Sequence, residues 1–265
     1  MTYTIAVSNE KGGVAKTTTV LSLGAALAER GLHVLLIDLD PQANLTLALG
    51  MEPAENDRTS AHVLIEAAPL LSARRKTDIP NLDLVPSSHR MGNAEQFLPM
   101  RTNYYRTLKN ALAASGPLPY DFVIADCPPA LGSVTTNAIA AADLLIIPTQ
   151  AEFFSAYALR NMMALVRRVR QESNPRLAYR ILITQLDRRN RVHRNIQQQL
   201  RETFGKGVFE TVIEIDTKLR ESPIAGAPIT LYKPNSRGAT QYRALAQEII
   251  EYAKETKEEA IRQSA

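Results

Sequence analysis

The stretch Ile5-Ala6-Val7-Ser8-Asn9-Glu10-Lys11-Gly12-Gly13-Val14-Ala15-Lys16-Thr17-Thr18 decides how the whole chain is read. Ile5-Ala6-Val7 is a short apolar, β-branched run of the kind that forms a buried strand. A glycine-rich turn follows, then a helical stretch from about Lys16 to Arg30, stopped by Gly31. Strand, glycine turn and helix in this order carry the phosphate-loop pattern G-x-x-x-x-G-K-S/T, with Lys16-Thr17 in its last two places. Gly12 and Gly13 let the backbone approach a phosphate and turn its N–H groups inward, and the helix N-terminus adds its positive end. In such a loop Lys16 reaches the β- and γ-phosphates, and the Thr17 hydroxyl ligates Mg²⁺. Two residues depart from the general pattern. Ala15 stands where the loop has its last glycine, and an extra lysine, Lys11, stands at its start.

Outward from the loop, apolar runs alternate with helix-like stretches. Strands are expected at His33–Asp38, Leu82–Val85, Phe122–Ala125, Leu144–Ile147, Arg180–Ile183 and Val208 to Ile215. Helices are expected near 101–114, 133–142, 155–172 and 191–203, with a long one from about Arg237 onward. Continuous apolar strands alternating with helices imply parallel βαβ units. The expected fold is α/β, a doubly wound, mostly parallel sheet flanked by helices. Residues 52–60 and 72–80 are polar and proline-bearing and read as surface loops; no linker divides the chain, so residues 1–265 are read as one domain.

Two of these strands end in carboxylates, where open parallel sheets bind ligands. One closes with Asp38-Leu39-Asp40-Pro41-Gln42, a pattern that on its own is more often a cap or a loop than chemistry. The other closes with Asp126-Cys127-Pro128-Pro129, the Walker B arrangement in which Asp126 holds Mg²⁺ through water. Cys127 reads as packing at a strand end, since no neighbour marks it as a nucleophile.

Composition removes whole classes of function. With one cysteine in 265 residues, an internal disulfide framework and a Cys-ligated zinc site are excluded. The four histidines lack zinc-like spacing. No run approaches the ~18 apolar residues of a membrane span. The first residues lack the basic and apolar regions of a signal peptide. The expectation is a reduced, cytoplasmic protein. Net charge is only +4, but residues 160–206 hold twelve Lys/Arg against three acids, a net +9, leaving −5 elsewhere.

These residues resemble the ParA/MinD family of deviant Walker A ATPases, a P-loop NTPase group, and look most like the small ParA, or Soj-like, type. The match covers Lys11 through Thr18, Asp38 through Gln42, Asp126 through Pro129, and Ile147 through Glu152. It continues through Asp187-Arg188-Arg189, Leu219 through Pro223, and Leu231 to Ala239, nearly end to end. The resemblance implies an Mg²⁺-dependent ATP hydrolase with weak intrinsic turnover, in which two ATP molecules are sandwiched in a homodimer. Lys11, Gly12, Gly13, Val14, Ala15, Lys16, Thr17, Thr18 and Asp126 would contact the nucleotide, with Lys11 reaching the partner's phosphates. Asp40 would position the attacking water and join Thr17 and Asp126 around the metal. A lysine donated in trans stabilises charge only after dimerisation, as an arginine finger does. The family's work is to segregate or position DNA or another cargo on the nucleoid, under stimulation by a ParB-like partner. Where many relatives have Pro-Arg-Asn near the adenine, this chain has Glu214-Ile215-Asp216.

Arg189 and Lys218 fall on family positions that contact DNA without sequence preference. The helix near 191–203 places Val192, Ile196, Leu200 and Phe204 on one stripe and Arg191, Arg194 and Arg201 on the other side. A solvated helix face is the plainer reading of such a pattern. The local excess of nine charges favours duplex backbone binding, and stacking aromatics for single strands are missing. The alternative, a MinD-like ATPase at the membrane, needs a terminal amphipathic helix with apolar bulk. Tyr252 to Ile261 has little bulk and many glutamates. Iron-protein reductases on the same loop need two cysteines per subunit. Operator-specific repression needs a helix-turn-helix ahead of a loop that here starts at Lys11.

Overall fold

The computed structural model describes residues 2–152 and 155–264. In chain order it contains β1 (Tyr3–Val7), α1 (Lys16–Ala28), β2 (Val34–Asp38), α2 (Asn44–Ala48), α3 (Ser60–Glu66) and β3 (Arg75–Lys76). Then come β4 (Leu82–Val85), α4 (Ala94–Phe97), α5 (Thr107–Ala114), β5 (Phe122–Asp126), α6 (Ser133–Ala141) and β6 (Leu144–Gln150). The last are α7 (Ser155–Glu172), β7 (Ala178–Thr184), α8 (Arg191–Phe204), α9 (Thr217–Ile224), α10 (Ile229–Tyr232) and α11 (Arg237–Ser264).

The strands form one sheet in the order β3-β4-β2-β5-β1-β6-β7. All pairings are parallel except that of β3, the short edge strand, with β4. Alternate residues feed two cores, as the period of two in a strand requires. Ile5, Val7, Leu36, Ile124 and Ile146 pack under Val20, Leu23 and Leu27 of α1 and Tyr242, Leu245 and Ile249 of α11. Ala6, Ile37, Val123, Leu145 and Ile181 pack under Leu64 of α3, Val134 of α6, Met162 of α7 and Leu200 of α8. Both faces are covered, which explains why the strands read as unbroken apolar runs.

The expected doubly wound sheet is present, with three local differences. Val208 to Ile215 is not a strand; it runs beside β7 with isolated bridges from Val208 to Ile181 and from Glu214 to Leu186, and the Phe209 and Ile213 N–H groups donate to the Ile181 and Ile183 carbonyls (2.9 Å each). The Glu248 carboxylate of α11 accepts the N–H groups of Glu210 (2.8 Å) and Thr211 (3.1 Å), which a ladder would otherwise need. The helix expected from 101 begins as a 3₁₀ turn, Tyr104–Arg106, before α5. The loop segments 52–60 and 72–80 end in the start of α3 and contain β3.

Because the main strands are parallel, their carboxyl ends share one edge. That edge carries the glycine loop after β1, Asp38 and Asp40 at β2, Asp126 at β5, Gln150 at β6 and Gln185 just past β7.

Candidate functional site

The loop after β1 curls by two left-handed residues, Gly13 (φ 73°) and Ala15 (φ 68°). Ala15 thus adopts, as N-cap of α1, the conformation for which the general pattern keeps glycine, at a steric cost of about 1–2 kcal/mol. A Cβ built on Gly12 or Gly13 meets no atom within 4 Å, so both face open space. That space is a cavity of about 700 Å³, lined by the loop, Lys16, Thr17, Thr18, Asp40, Asn44, Gln185 and Arg220.

Groups from neighbouring strands brace the loop. Gln185 and Gln150 donate from Nε2 to the Gly13 carbonyl (2.6 and 3.2 Å), and the Thr184 hydroxyl donates to the Val14 carbonyl (3.0 Å). Asn9 donates to the Pro148 carbonyl (2.7 Å) and accepts the Lys11 N–H (3.0 Å). Sequence reasoning missed Asn9, Thr184 and Gln185 as site residues. Their only signal was a position at a strand's carboxyl end.

Lys16 is buried and its Nζ donates to the Lys11 carbonyl (3.0 Å). Burial pushes its ammonium pKa down, and the Asp126 carboxylate pulls it partly back. The Lys11 Nζ does not point to that cavity wall; it pairs with Glu152 Oε2 (2.6 Å) and Gln150 Oε1 (2.8 Å) of its own chain.

Asp126 is buried, and neither of its carboxylate oxygens has a hydrogen-bond partner among the described residues. Burial, then the neighbouring Asp38, pushes its pKa well above the usual carboxylate range. Asp38, its register partner across β2 and β5, is fully tied: it accepts from Thr46 Oγ1 (2.7 Å), Thr46 N (3.0 Å) and Asp40 N (3.1 Å). Its pKa is pushed up to about 6 by burial, against the pull of Thr46. Asp40 lines the cavity, with one oxygen accepting the Gln42 N–H (2.9 Å). Among the described residues no three His, Cys, Asp or Glu side chains converge on a metal position. One unpartnered carboxylate beside a phosphate cradle is instead the donor set of a cation that keeps water and phosphate as its other ligands. Cys127 packs in the core, where burial pushes its thiol pKa up and keeps it protonated.

The basic candidates lie in the turn before α8, in α8, and in α9. Arg189 pairs with Asp187 (3.1 Å), Arg201 with Glu210 (3.0 Å) and Lys218 with Glu221 (2.8 Å). Arg194 donates to the Arg188 carbonyl (2.6 Å), and Arg191 opens α8 as an exposed residue. Leu200 is buried and Ile196 and Phe204 pack on the core, but Val192 is 59% exposed, because the first turn of α8 extends past the core. The Glu214-Ile215-Asp216 departure is structural: Glu214 accepts from Arg188 (2.7 Å), Arg237 (2.9 Å) and Gln241 (3.0 Å). Asp216 caps α9 and accepts the Gly238 N–H.

A family model described as an AAA domain matches residues 2–179. The chain is 39% identical over 250 residues to the chromosome partitioning protein ParA of Caulobacter vibrioides, covering 93% of each. The chain belongs to the ParA/MinD family of partition ATPases. Its Bacillus subtilis relative, the sporulation initiation inhibitor protein Soj, is 39% identical over 92% of this chain and 97% of its own length. Among solved structures, a cobyrinic acid a,c-diamide synthase of Mycobacterium smegmatis with bound ADP and magnesium superimposes with a TM-score of 0.83. It shares 34% identity over 96% of both chains. The ParA/MinD assignment accounts for the Lys11 loop, the carboxylate-ended strands and the sheet order together.

Proposed function

We propose that this ParA/MinD-family chain is a cytoplasmic, nucleoid-associated ATPase that binds Mg²⁺–ATP, forms a sandwich homodimer and coats duplex DNA without sequence preference. Its turnover is slow until a ParB-like protein stimulates it, and the cycle segregates or positions DNA or another cargo. The observation that supports the reading is the unpartnered, buried Asp126 close to Lys16, on the sheet edge that also carries the glycine loop. Such a carboxylate is costly unless it serves a cation.

The glycine loop from Lys11 to Thr18 cradles the phosphates with its N–H groups, and Lys16 leaves the Lys11 carbonyl for the β- and γ-phosphates. Thr17 and Asp126, with Asp40 at the rim, would hold Mg²⁺, which would neutralise phosphate charge when bound. Asp40 orients the attacking water. Lys11 is given across the dimer to stabilise the charge of the transferring phosphoryl group. Arg189, Arg191, Arg194, Arg201 and Lys218 bind DNA phosphates.

Lys16→Ala is expected to abolish ATP binding by calorimetry; near-native affinity would remove the loop assignment. Asp40→Ala should bind ATP and dimerise but turn over slowly, accumulating on DNA. Pelleting with plasmid DNA or with anionic liposomes, each with ATP, tests the surface. Sedimentation with liposomes alone would favour the membrane reading.

A further inference from the structure

Lys11 is a rim residue with a four-carbon stem, yet it does not wander. Its backbone is held at both ends, the N–H on Asn9 and the carbonyl by Lys16 Nζ. Its ammonium is held at two points, Glu152 Oε2 at 2.6 Å and Gln150 Oε1 at 2.8 Å. The Gln150 amide is itself aimed. Its Nε2 donates to the Gly13 carbonyl (3.2 Å) and to Gln185 Oε1 (2.9 Å), which turns its oxygen toward Lys11. Glu152 follows in a tight turn after β6, its N–H donating to the Gln150 carbonyl (2.9 Å). β6 pairs with β1, the strand that launches the loop, so this clamp and Lys11 ride on adjacent strands of one sheet.

We infer that Glu152, oriented beside Gln150, is a positioning residue that holds Lys11 in cis and must release it before Lys11 can act across a dimer. The inference rests on the reading of Lys11 as a group donated in trans. The ammonium cannot pair with Glu152 of its own chain and reach a partner's phosphates through the same three donors at full strength. Dimerisation therefore competes with the pair. Side-chain exposure of 28% for Lys11 and 49% for Glu152 makes the pair weak. It biases the equilibrium without blocking it. An exposed pair of this kind shifts an equilibrium by roughly 1.5- to 5-fold per protomer, and the factor is squared because both protomers must release.

The test is sedimentation velocity in Mg²⁺ and ATP over a protein concentration series. Wild type, Glu152→Gln, Lys11→Ala and the double variant are compared. Glu152→Gln is expected to dimerise at a lower protein concentration, its dimerisation constant rising roughly 2- to 25-fold. Glu152→Asp, which keeps the charge, should move the constant back toward wild type, and 0.5 M salt should erase most of the difference. Lys11→Ala should fail to dimerise, and the double variant should match it, because release has no consequence when there is nothing to release. If Lys11→Ala fails but Glu152→Gln dimerises no better than wild type, the holding role is wrong and the trans role stands. If Lys11→Ala dimerises like wild type, the trans reading itself fails and the holding role falls with it.

Discussion

Asp126 is buried at the end of β5 with no hydrogen-bond partner on either carboxylate oxygen among the described residues, although Asp38, Asp40, Thr17 and Lys16 stand close enough to act on its charge. Its folded pKa lies above the unfolded value, so it destabilises the protein at pH values above that folded pKa, and the cost is relieved as pH falls through it. Asp126→Asn is therefore expected to raise the melting midpoint in chelator without nucleotide, by about 1–3 kcal/mol or a few degrees. The gain should shrink as pH falls through that raised pKa, when wild type binds the proton itself. The same variant should lose Mg²⁺-dependent nucleotide affinity in calorimetry. A variant that loses both stability and affinity would make Asp126 a fold residue. Asp38 offers a contrast on the adjacent strand: with three donors on its carboxylate, Asp38→Asn should destabilise rather than stabilise.

At the scale of elements, α6 begins where the chain leaves Asp126, and it is capped from outside. Glu95 of α4 accepts from Ser133 N (2.7 Å), Ser133 Oγ (2.8 Å) and Val134 N (3.2 Å). The carboxylate lies so close to Gly132 that an added Cβ would sit on it. Gly132→Ala is expected to cost about 1 kcal/mol by displacing the cap, and Glu95→Ala about as much. The double variant should cost no more than either single one, which urea titration of all three would show. Additive losses would separate the two residues. None of this was legible in the sequence, since a glutamate some forty positions upstream carries no local sign of which helix it caps. The strands and the long helices were legible because their periods were clear, and Lys16 and Asp126 because loop and strand end are local patterns. Val208 to Ile215 misled because its apolar run is real, but Glu248 takes two of its N–H groups. Gln150 at the end of β6 and Gln185 just past β7 hydrogen-bond each other and converge on the Gly13 carbonyl, so their joint role exists only after the sheet forms.

For the molecule as a whole, charge is the property that would couple nucleotide to DNA. Three of the five basic candidates already hold carboxylates, so phosphate contact at Arg189, Arg201 or Lys218 exchanges one anion for another. Binding should be weak per contact and fall with salt by a log–log slope of about −0.9 per phosphate. Arg189→Ala and Lys218→Ala should each lower that slope by roughly one and leave ATP-dependent dimerisation intact. Unchanged slopes in both would make the patch a solvated face. The sheet has a further consequence, in time rather than in charge. β1 at the chain's start hydrogen-bonds to β5 and β6, with Tyr3 opposite Phe122 and Ile5 opposite Leu144. Pairings so distant along the chain close slowly, whereas helices form early. During refolding, helical signal should therefore recover well before the cavity can hold a nucleotide. Once bound, the nucleotide clasps strands that no short segment joins, and at a hundred times its Kd it should delay global unfolding by about 2.7 kcal/mol. Protein kept with its ligand should then resist heat and protease along its whole length, not only at the loop.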